Sequence, residues 1–405
     1  MRVLFVSRYL PWPLYNGGAV RTFAIISGLA KLHRITLAVP EPGNEQARRE
    51  LEAAYANIVE RFLWVPVPPD RDYSNRGNVI VRVLRSFLDL FSHWLPLAFR
   101  EAAGPWRIAI DKHDTEFDAA FCRYAWLSPA FFGVGLKRVV FDLDDVQFLF
   151  LWRELGTARG TLRKLRGVAE VSRTWLAEQV ISFHAARVLT CSREDANFIM
   201  TRRKTVIPNG MTIESGPKAQ REPDIVVFVG YCKWMPNRHG LQWFIESVWP
   251  LVLAKRPSAR FRIVGRGANI ATLPFATHAS IELNPDVPSV KPWVEGAVVS
   301  IAPILFAGGT RIKVVESLGY GTPVVATTIG AAGLTEIFDE STGLYVVDGA
   351  EQTAAQICTL LADPAQAFAN AARGTDIVVE RYTWERVVRP IAENIEQWVG
   401  SNSHR

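Results

Sequence analysis

The chain has 405 residues, 49% of them hydrophobic and 21% charged, with a formal net charge of +6. That length exceeds one ordinary core and suits two domains. The positive balance favours anionic partners such as nucleotide diphosphates or anionic lipid surfaces. It carries no nucleic-acid module, so a nucleic-acid partner is not expected. Cys122, Cys191, Cys232 and Cys358 lie far apart without a C-x-x-C pair. This argues against a zinc site or a disulfide framework and for a reducing compartment.

Val3–Ser7 is a continuous apolar run, expected for a parallel strand covered on both faces. It reads as a first buried strand and not as a signal peptide. Asn16-Gly17-Gly18 follows, then Val20, Phe23, Ala24, Leu29 and Leu32 at helical spacing, then an Ile35–Val39 strand. The order predicts a βαβ unit. Gly17 and Gly18 at the helix start, with Arg21 one turn in, suit the approach of a phosphate or an acceptor. Phe62–Val67 reads as a strand. The stretch 79–99 is apolar but holds Arg82, Arg85, Asp89 and Pro96, which is too charged for a membrane span. Two readings stay open: a core helix, or an interfacial helix docking on an anionic bilayer. His113-Asp114 reads as a solvated helix end. A strand over Arg138–Leu143 ends in Asp142, Asp144 and Asp145. Carboxylates at the carboxyl end of a parallel strand face the ligand crevice; the alternative is a helix N-cap.

A long basic helix follows, with Arg153, Arg159, Arg163, Lys164, Arg166 and Arg173. Ser192 is placed to cap the helix from Arg193. Pro208-Asn209-Gly210 is a turn, and residues 213–224 lack periodicity and read as a linker. A second buried strand starts at Ile225, and its sequence echoes the first. Lys233 is the nearest cation after it. Leu241–Lys255 reads as a helix, Arg260–Val264 as a strand ending in the Gly265-Arg266-Gly267 turn, and Ala354–Leu361 as a helix ending before Asp363-Pro364. A last helix covers about Thr383–Val399.

The organising stretch is Pro303 to Ala326, PILFAGGTRIKVVESLGYGTPVVA. It predicts strand, Gly308-Gly309 turn, a helix from Arg311 capped by Thr310, a Gly319/Gly321 stop, and a strand after Pro323. Bare glycines, free helical N–H groups, Arg311 and Lys313 together make a place for a diphosphate. Glu316 lies on the same face as Lys313 and Gly309 and suits sugar hydroxyls.

This stretch resembles the donor site of glycosyltransferases with the GT-B fold, in the retaining family 4-like group. There a Glu–seven residues–Glu motif precedes a helix and an A-x-G-x-P-V-V turn. Here the second Glu is Glu316 and the turn is Gly319–Val325; Gly308 stands at the first Glu. The GGTR-x-K form resembles a subgroup found in exopolysaccharide pathways. The resemblance implies an α/β fold of two Rossmann-like domains facing across a cleft, with a C-terminal helix crossing back. The domains are residues 1–212 for the acceptor, a linker at 213–224, 225–380 for the nucleotide sugar, and 381–405 returning.

It further implies transfer of a sugar from a nucleotide-diphosphate donor to a saccharide or lipid-linked acceptor, with retention and without a metal. The protein is expected in the cytoplasm, or peripheral on the inner face of the membrane. The residues assigned to catalysis are Asp144, Asp145, Arg311 and Lys313. Those assigned to the donor are Gly17, Gly18, Lys233, Gly265, Gly308, Gly309, Thr310 and Glu316. A sugar-nucleotide epimerase or a non-catalytic sugar-binding protein are the alternatives.

Overall fold

A computed structural model describes residues 1–14, 16–67, 95–144, 146–157, 160–306 and 311–400. The chain divides into two units. The first holds residues 1–14, 18–207 and 388–405; the second holds 15–17 and 208–387.

In the first unit the strands are β1 (Arg2–Val6), β2 (Arg34–Pro40), β3 (Arg61–Val65), β4 (Ala119–Arg123), β5 (Val139–Asp144), β6 (Arg187–Thr190) and β7 (Lys204–Val206). They form a parallel sheet in the order β3-β2-β1-β4-β5-β6-β7. The apolar runs explain it. Val3, Leu4, Phe5 and Val6 are buried, as are Phe121 and Phe141, because helices cover both faces. Phe5 stacks on Phe121 with ring centroids 5.0 Å apart.

The second unit repeats the plan. Its strands are β8 (Ile225–Val229), β9 (Arg260–Val264), β10 (Ile281–Asn284), β11 (Val299–Ala302), β12 (Val324–Ala326) and β13 (Leu344–Val346). Their order is β10-β9-β8-β11-β12-β13, all parallel. In both sheets the order reverses beside the first strand of the unit, between β1 and β4 and between β8 and β11. That is the Rossmann arrangement, in which ligands bind at the carboxyl ends of the strands flanking the reversal.

The closing helix, Trp384–Gly400, packs on the first unit through its residues from Val388 onward. His33 Nε2 lies 2.7 Å from Ala392 O. Gly28 is required there, since a Cβ would stand 2.4 Å from Val388 Cγ2.

Several expectations need correction. Residues 147–184 form two helices, Gln147–Thr157 and Thr161–His184. The helix Pro364–Arg381 was not anticipated; Asp363-Pro364 reads as a stop, but Pro364 opens the helix at a position where its missing N–H costs nothing. The stretch 213–224 holds no strand or helix and is tied down along its length. Glu222 receives two 2.7 Å hydrogen bonds from Arg262, and Arg221 Nη2 donates to Gly321 O at 2.6 Å. Of the apolar stripe 79–99, residues 79–94 lie outside the described residues.

Candidate functional site

The strand reversal in the second unit directs attention to the ends of β8 and β11. After β8 the chain passes through Gly230 at φ +156° and enters the helix Met235–Trp243. After β11 it enters the helix Ile312–Gly319. The helix begins one residue later than expected: Arg311 is its extended N-cap residue, without a side-chain cap. Gly308, Gly309 and Thr310 lie outside the described residues.

Lys313 Nζ donates to Asn237 Oδ1 at 2.8 Å. Asn237 is 3% exposed, and its Nδ2 donates to Tyr231 O at 2.9 Å. One side chain therefore grips the loop after β8 and the cation after β11. Gly230 is bare for a reason: a Cβ there would stand 3.0 Å from Asn237 Nδ2 and 3.1 Å from Lys313 Nζ. Lys313 also sits over the Phe228 ring, 3.8 Å from its centroid. Burial lowers its pKa to about 7, and the neighbouring charge of Arg311 works in the same direction. The ammonium is thus held in an apolar seat; among the described residues no carboxylate forms a salt bridge with it, and Glu316 acts on it only through its charge at a distance. A bound anion would raise its pKa and secure its charge.

Gly265 completes the floor. It has φ +128°, and a Cβ would lie 2.4 Å from Gly230 O. Only a glycine lets the ends of β8 and β9 approach so closely. Lys233 is exposed, and its Cγ covers Gly267, 3.1 Å from where a Cβ would stand. Arg311 is buried, with its guanidinium 5.9 Å from the Trp234 ring centroid.

Glu316 is half-buried on the same helix. Burial raises its pKa to about 7 against the pull of Lys313. Among the described residues no ion pair joins it to Lys313, so the two are not the solvated i,i+3 pair that spacing alone permits.

Gly17 and Gly18 open the helix Gly17–Ala30, as expected, and the helix belongs to the first unit from Gly18 onward. Arg21 does not serve a phosphate. It is fully buried and donates to both oxygens of Asp142, at 2.9 and 2.8 Å. Arg123, also fully buried, bonds the same carboxylate and donates to Asp144 Oδ2 at 2.9 Å. Burial alone would raise Asp142, but the two guanidinia outweigh it and hold its pKa at about 2. Asp142 is therefore a structural ion and Asp144 stands at its edge, 13% exposed at the side chain. Asp145 lies outside the described residues. His113 pairs with Glu116 at 2.8 Å and Asp114 with Arg138 at 3.2 Å, which fits a solvated helix end.

Sequence reasoning missed Asn237 and Arg123. Asn237 had a usable signal: it follows Pro236 at the start of the first helix after β8. Arg123 had none, because a cation at the end of a buried strand is legible only once its carboxylate is known to lie beside it.

Residues 223–363 match the family described as Glycosyl transferases group 1. An uncharacterized 44.6 kDa protein in the cps region of Klebsiella pneumoniae is 26% identical over 116 residues. That match covers 27% of this chain and 30% of the relative, so it spans less than a third of either. Among solved structures, sucrose-phosphate synthase from Thermosynechococcus elongatus superposes with a TM-score of 0.72 at 13% identity, covering 99% of this chain and all of that one. Anabaena Alr3699/HepE in complex with UDP and glucose gives 0.66 at 15% identity, covering 98% of this chain and all of that one. Residues 223–363 are thus similar to the group 1 glycosyltransferases, and the chain as a whole shares the two-Rossmann GT-B fold of these solved structures.

Proposed function

We propose that the protein transfers a sugar from a nucleotide-diphosphate donor to a hydroxyl of a saccharide or lipid-linked acceptor, in the synthesis of an exopolysaccharide or another cell-surface glycan. The observation that carries this reading is the seat of Lys313. It is a cation that among the described residues makes no salt bridge, fixed by Asn237 at the strand reversal of a Rossmann sheet, beside bare glycines and a helix start. Such a corner favours the diphosphate of an activated sugar. The location of the relative in a cps region and the UDP in the HepE structure support the polysaccharide setting and a uridine donor.

In this reading Lys313, Arg311 and the helical N–H groups stabilise charge that grows on the leaving nucleotide diphosphate. The bond from the anomeric carbon to phosphate oxygen lengthens, and the acceptor hydroxyl attacks from the same face. Its proton passes to the leaving phosphate oxygen, so configuration is retained and no side chain acts as nucleophile. Glu316 accepts hydrogen bonds from donor-sugar hydroxyls. Asp144 orients the acceptor. No metal takes part in this scheme. Among the described residues no helix is long and apolar enough to cross a membrane; we place the reaction in the cytoplasm, with contact to the inner face of the membrane.

The test is release of nucleotide from a panel of UDP-, GDP- and dTDP-sugars, with and without a lipid-linked saccharide acceptor. Acceptor-dependent release from one donor, reduced at least about tenfold in Lys313→Ala, is expected. Conversion of the donor sugar without any acceptor would show an epimerase. Binding without turnover would show a non-catalytic protein.

A further inference from the structure

The first unit has a strand reversal of its own, between β1 and β4, and what surrounds it differs in kind. The residues just beyond these two strands are aromatic. Tyr9 follows β1, and Tyr124 and Trp126 follow β4. The three rings touch edge to face: Tyr9 lies 5.9 Å from Tyr124 and 6.5 Å from Trp126, and Tyr124 lies 5.4 Å from Trp126. The Arg8 guanidinium stands over two of them, 5.8 Å from the Tyr9 centroid and 5.4 Å from that of Trp126. Burial does not account for the cluster, because Tyr9 is 48% exposed.

The backbone at this place is held in unusual conformations. Tyr124 has φ +72° and Asp144 has φ +55°. Neither residue enters the left-handed region without cost, and such residues gather where a side chain must be aimed. At Asp144 the pairing of β5 with β6 also slips by one residue, an irregularity that re-aims side chains at strand ends. The two strained residues are coupled through one nitrogen. Arg123 Nη2 lies 3.1 Å from the Tyr124 hydroxyl and 2.9 Å from Asp144 Oδ2. Arg123 therefore ties the aromatic cluster and the carboxylate together from beneath.

We infer that Tyr9, Tyr124 and Trp126 are the platform on which a pyranose ring of the acceptor saccharide stacks, with Asp144 at its edge. A pyranose presents a face of C–H bonds and an equator of hydroxyls. The C–H face packs on the negative face of an aromatic ring. The hydroxyls donate to carboxylate oxygens, which accept. A polyol suits this pairing of aromatic rings with a carboxylate, since it has both an apolar face and hydroxyl donors. The inference rests on the reading of the protein as a glycosyltransferase for the word acceptor, and on the first unit alone for the site.

Saturation-transfer NMR on the full chain tests it, with methyl α-glucopyranoside, methyl α-galactopyranoside and methyl α-mannopyranoside as probes and UDP-glucose as the control. The account expects at least one glycoside to receive saturation from aromatic protons at its ring C–H positions. Tyr9→Ala should weaken that glycoside at least about fivefold, with an unchanged melting temperature, because the ring is half exposed. Tyr124→Phe keeps the ring and should retain most of the signal. UDP-glucose should bind both variants as it binds the parent. A glycoside bound equally by the parent and Tyr9→Ala overturns the platform. So does the absence of any glycoside signal when UDP-glucose gives one. Failure of UDP-glucose alone, with the glycoside result intact, counts against the donor reading and leaves the platform standing.

Discussion

Lys313 Nζ and Asn237 Oδ1 meet at 2.8 Å across the reversal point of the second sheet. Each side chain comes from the helix that follows one of the two flanking strands. The bond therefore joins the elements that diverge to open the crevice, and it sets where the cation stands.

Asn237 is accordingly a positioning residue. Asn237→Ala removes the seat of Lys313 and the tie to Tyr231 O together. A hydrogen bond to a charged group contributes about 1.5–3 kcal/mol, so donor affinity should fall by about tenfold or more. Asn237→Asp keeps an acceptor for Lys313, adds a charge that raises the lysine pKa, and places a carboxylate against Tyr231 O. It should shift the pH profile of donor binding upward while weakening binding. Calorimetry over a pH series measures both. A profile unchanged in Asn237→Asp would show that this side chain does not govern Lys313.

The pKa of about 7 at Lys313 has its own consequence. Burial penalises the charged form, so in the free protein the ammonium loses its proton as pH rises through neutrality. Diphosphate binding calls for the charged form. UDP-glucose is the useful probe, because its diphosphate diester does not titrate in this range. Its affinity should be full below pH 7 and fall above it by up to about tenfold per pH unit. Binding near pH 7.5 should take up protons, seen as a dependence of binding heat on the buffer.

At Glu316 the sign is opposite in charge. Its folded pKa is raised to about 7 from 4.5, so the folded state holds a proton that the unfolded chain releases. The stability from this is full below the unfolded pKa and is lost as pH rises through 7. Glu316→Gln should raise the melting temperature at pH 8 relative to the parent and leave it unchanged at pH 4. The same variant should bind UDP normally and UDP-glucose more weakly, if the carboxylate holds the sugar.

The buried cluster of Arg21, Arg123 and Asp142 is a stability element of the first unit. Asp142→Ala leaves two guanidinia in the interior, with Asp144 as their remaining carboxylate among the described residues. Breaking a buried pair costs about 3–5 kcal/mol, and urea unfolding should show a loss of that size. Retained stability would show that Asp144 compensates.

Much of this was legible in the sequence. Val3–Val6 and Val226–Val229 are apolar without alternation, which fixes a parallel sheet covered on both faces, and the repeated strand–turn–helix order gives two Rossmann halves. Lys313 and Glu316 were found because a glycine turn before a short helix is a local pattern. Arg21 was misread because its partner lies 121 residues away on another strand; local spacing placed it near a phosphate, whereas the ion pair buries it. The helix 364–381 was missed because its buried face is made largely of small residues, Ala367, Ala371 and Gly374, which leave a weak apolar periodicity. Gly374 there is fixed by close packing, with Thr342 O 2.3 Å from where a Cβ would stand, and that need is tertiary.

The most direct measurement is titration of UDP-glucose into the parent protein and into Lys313→Met, which keeps most of the length and apolar packing of the side chain and removes its charge together with its hydrogen bond to Asn237. The account predicts that the parent binds and that the variant binds at least about tenfold more weakly, with the fall in affinity above pH 7 that Lys313 causes lost and only the dependence due to Glu316 left. Equal affinity and an identical pH profile in the two proteins would contradict the claim that this cation receives the diphosphate.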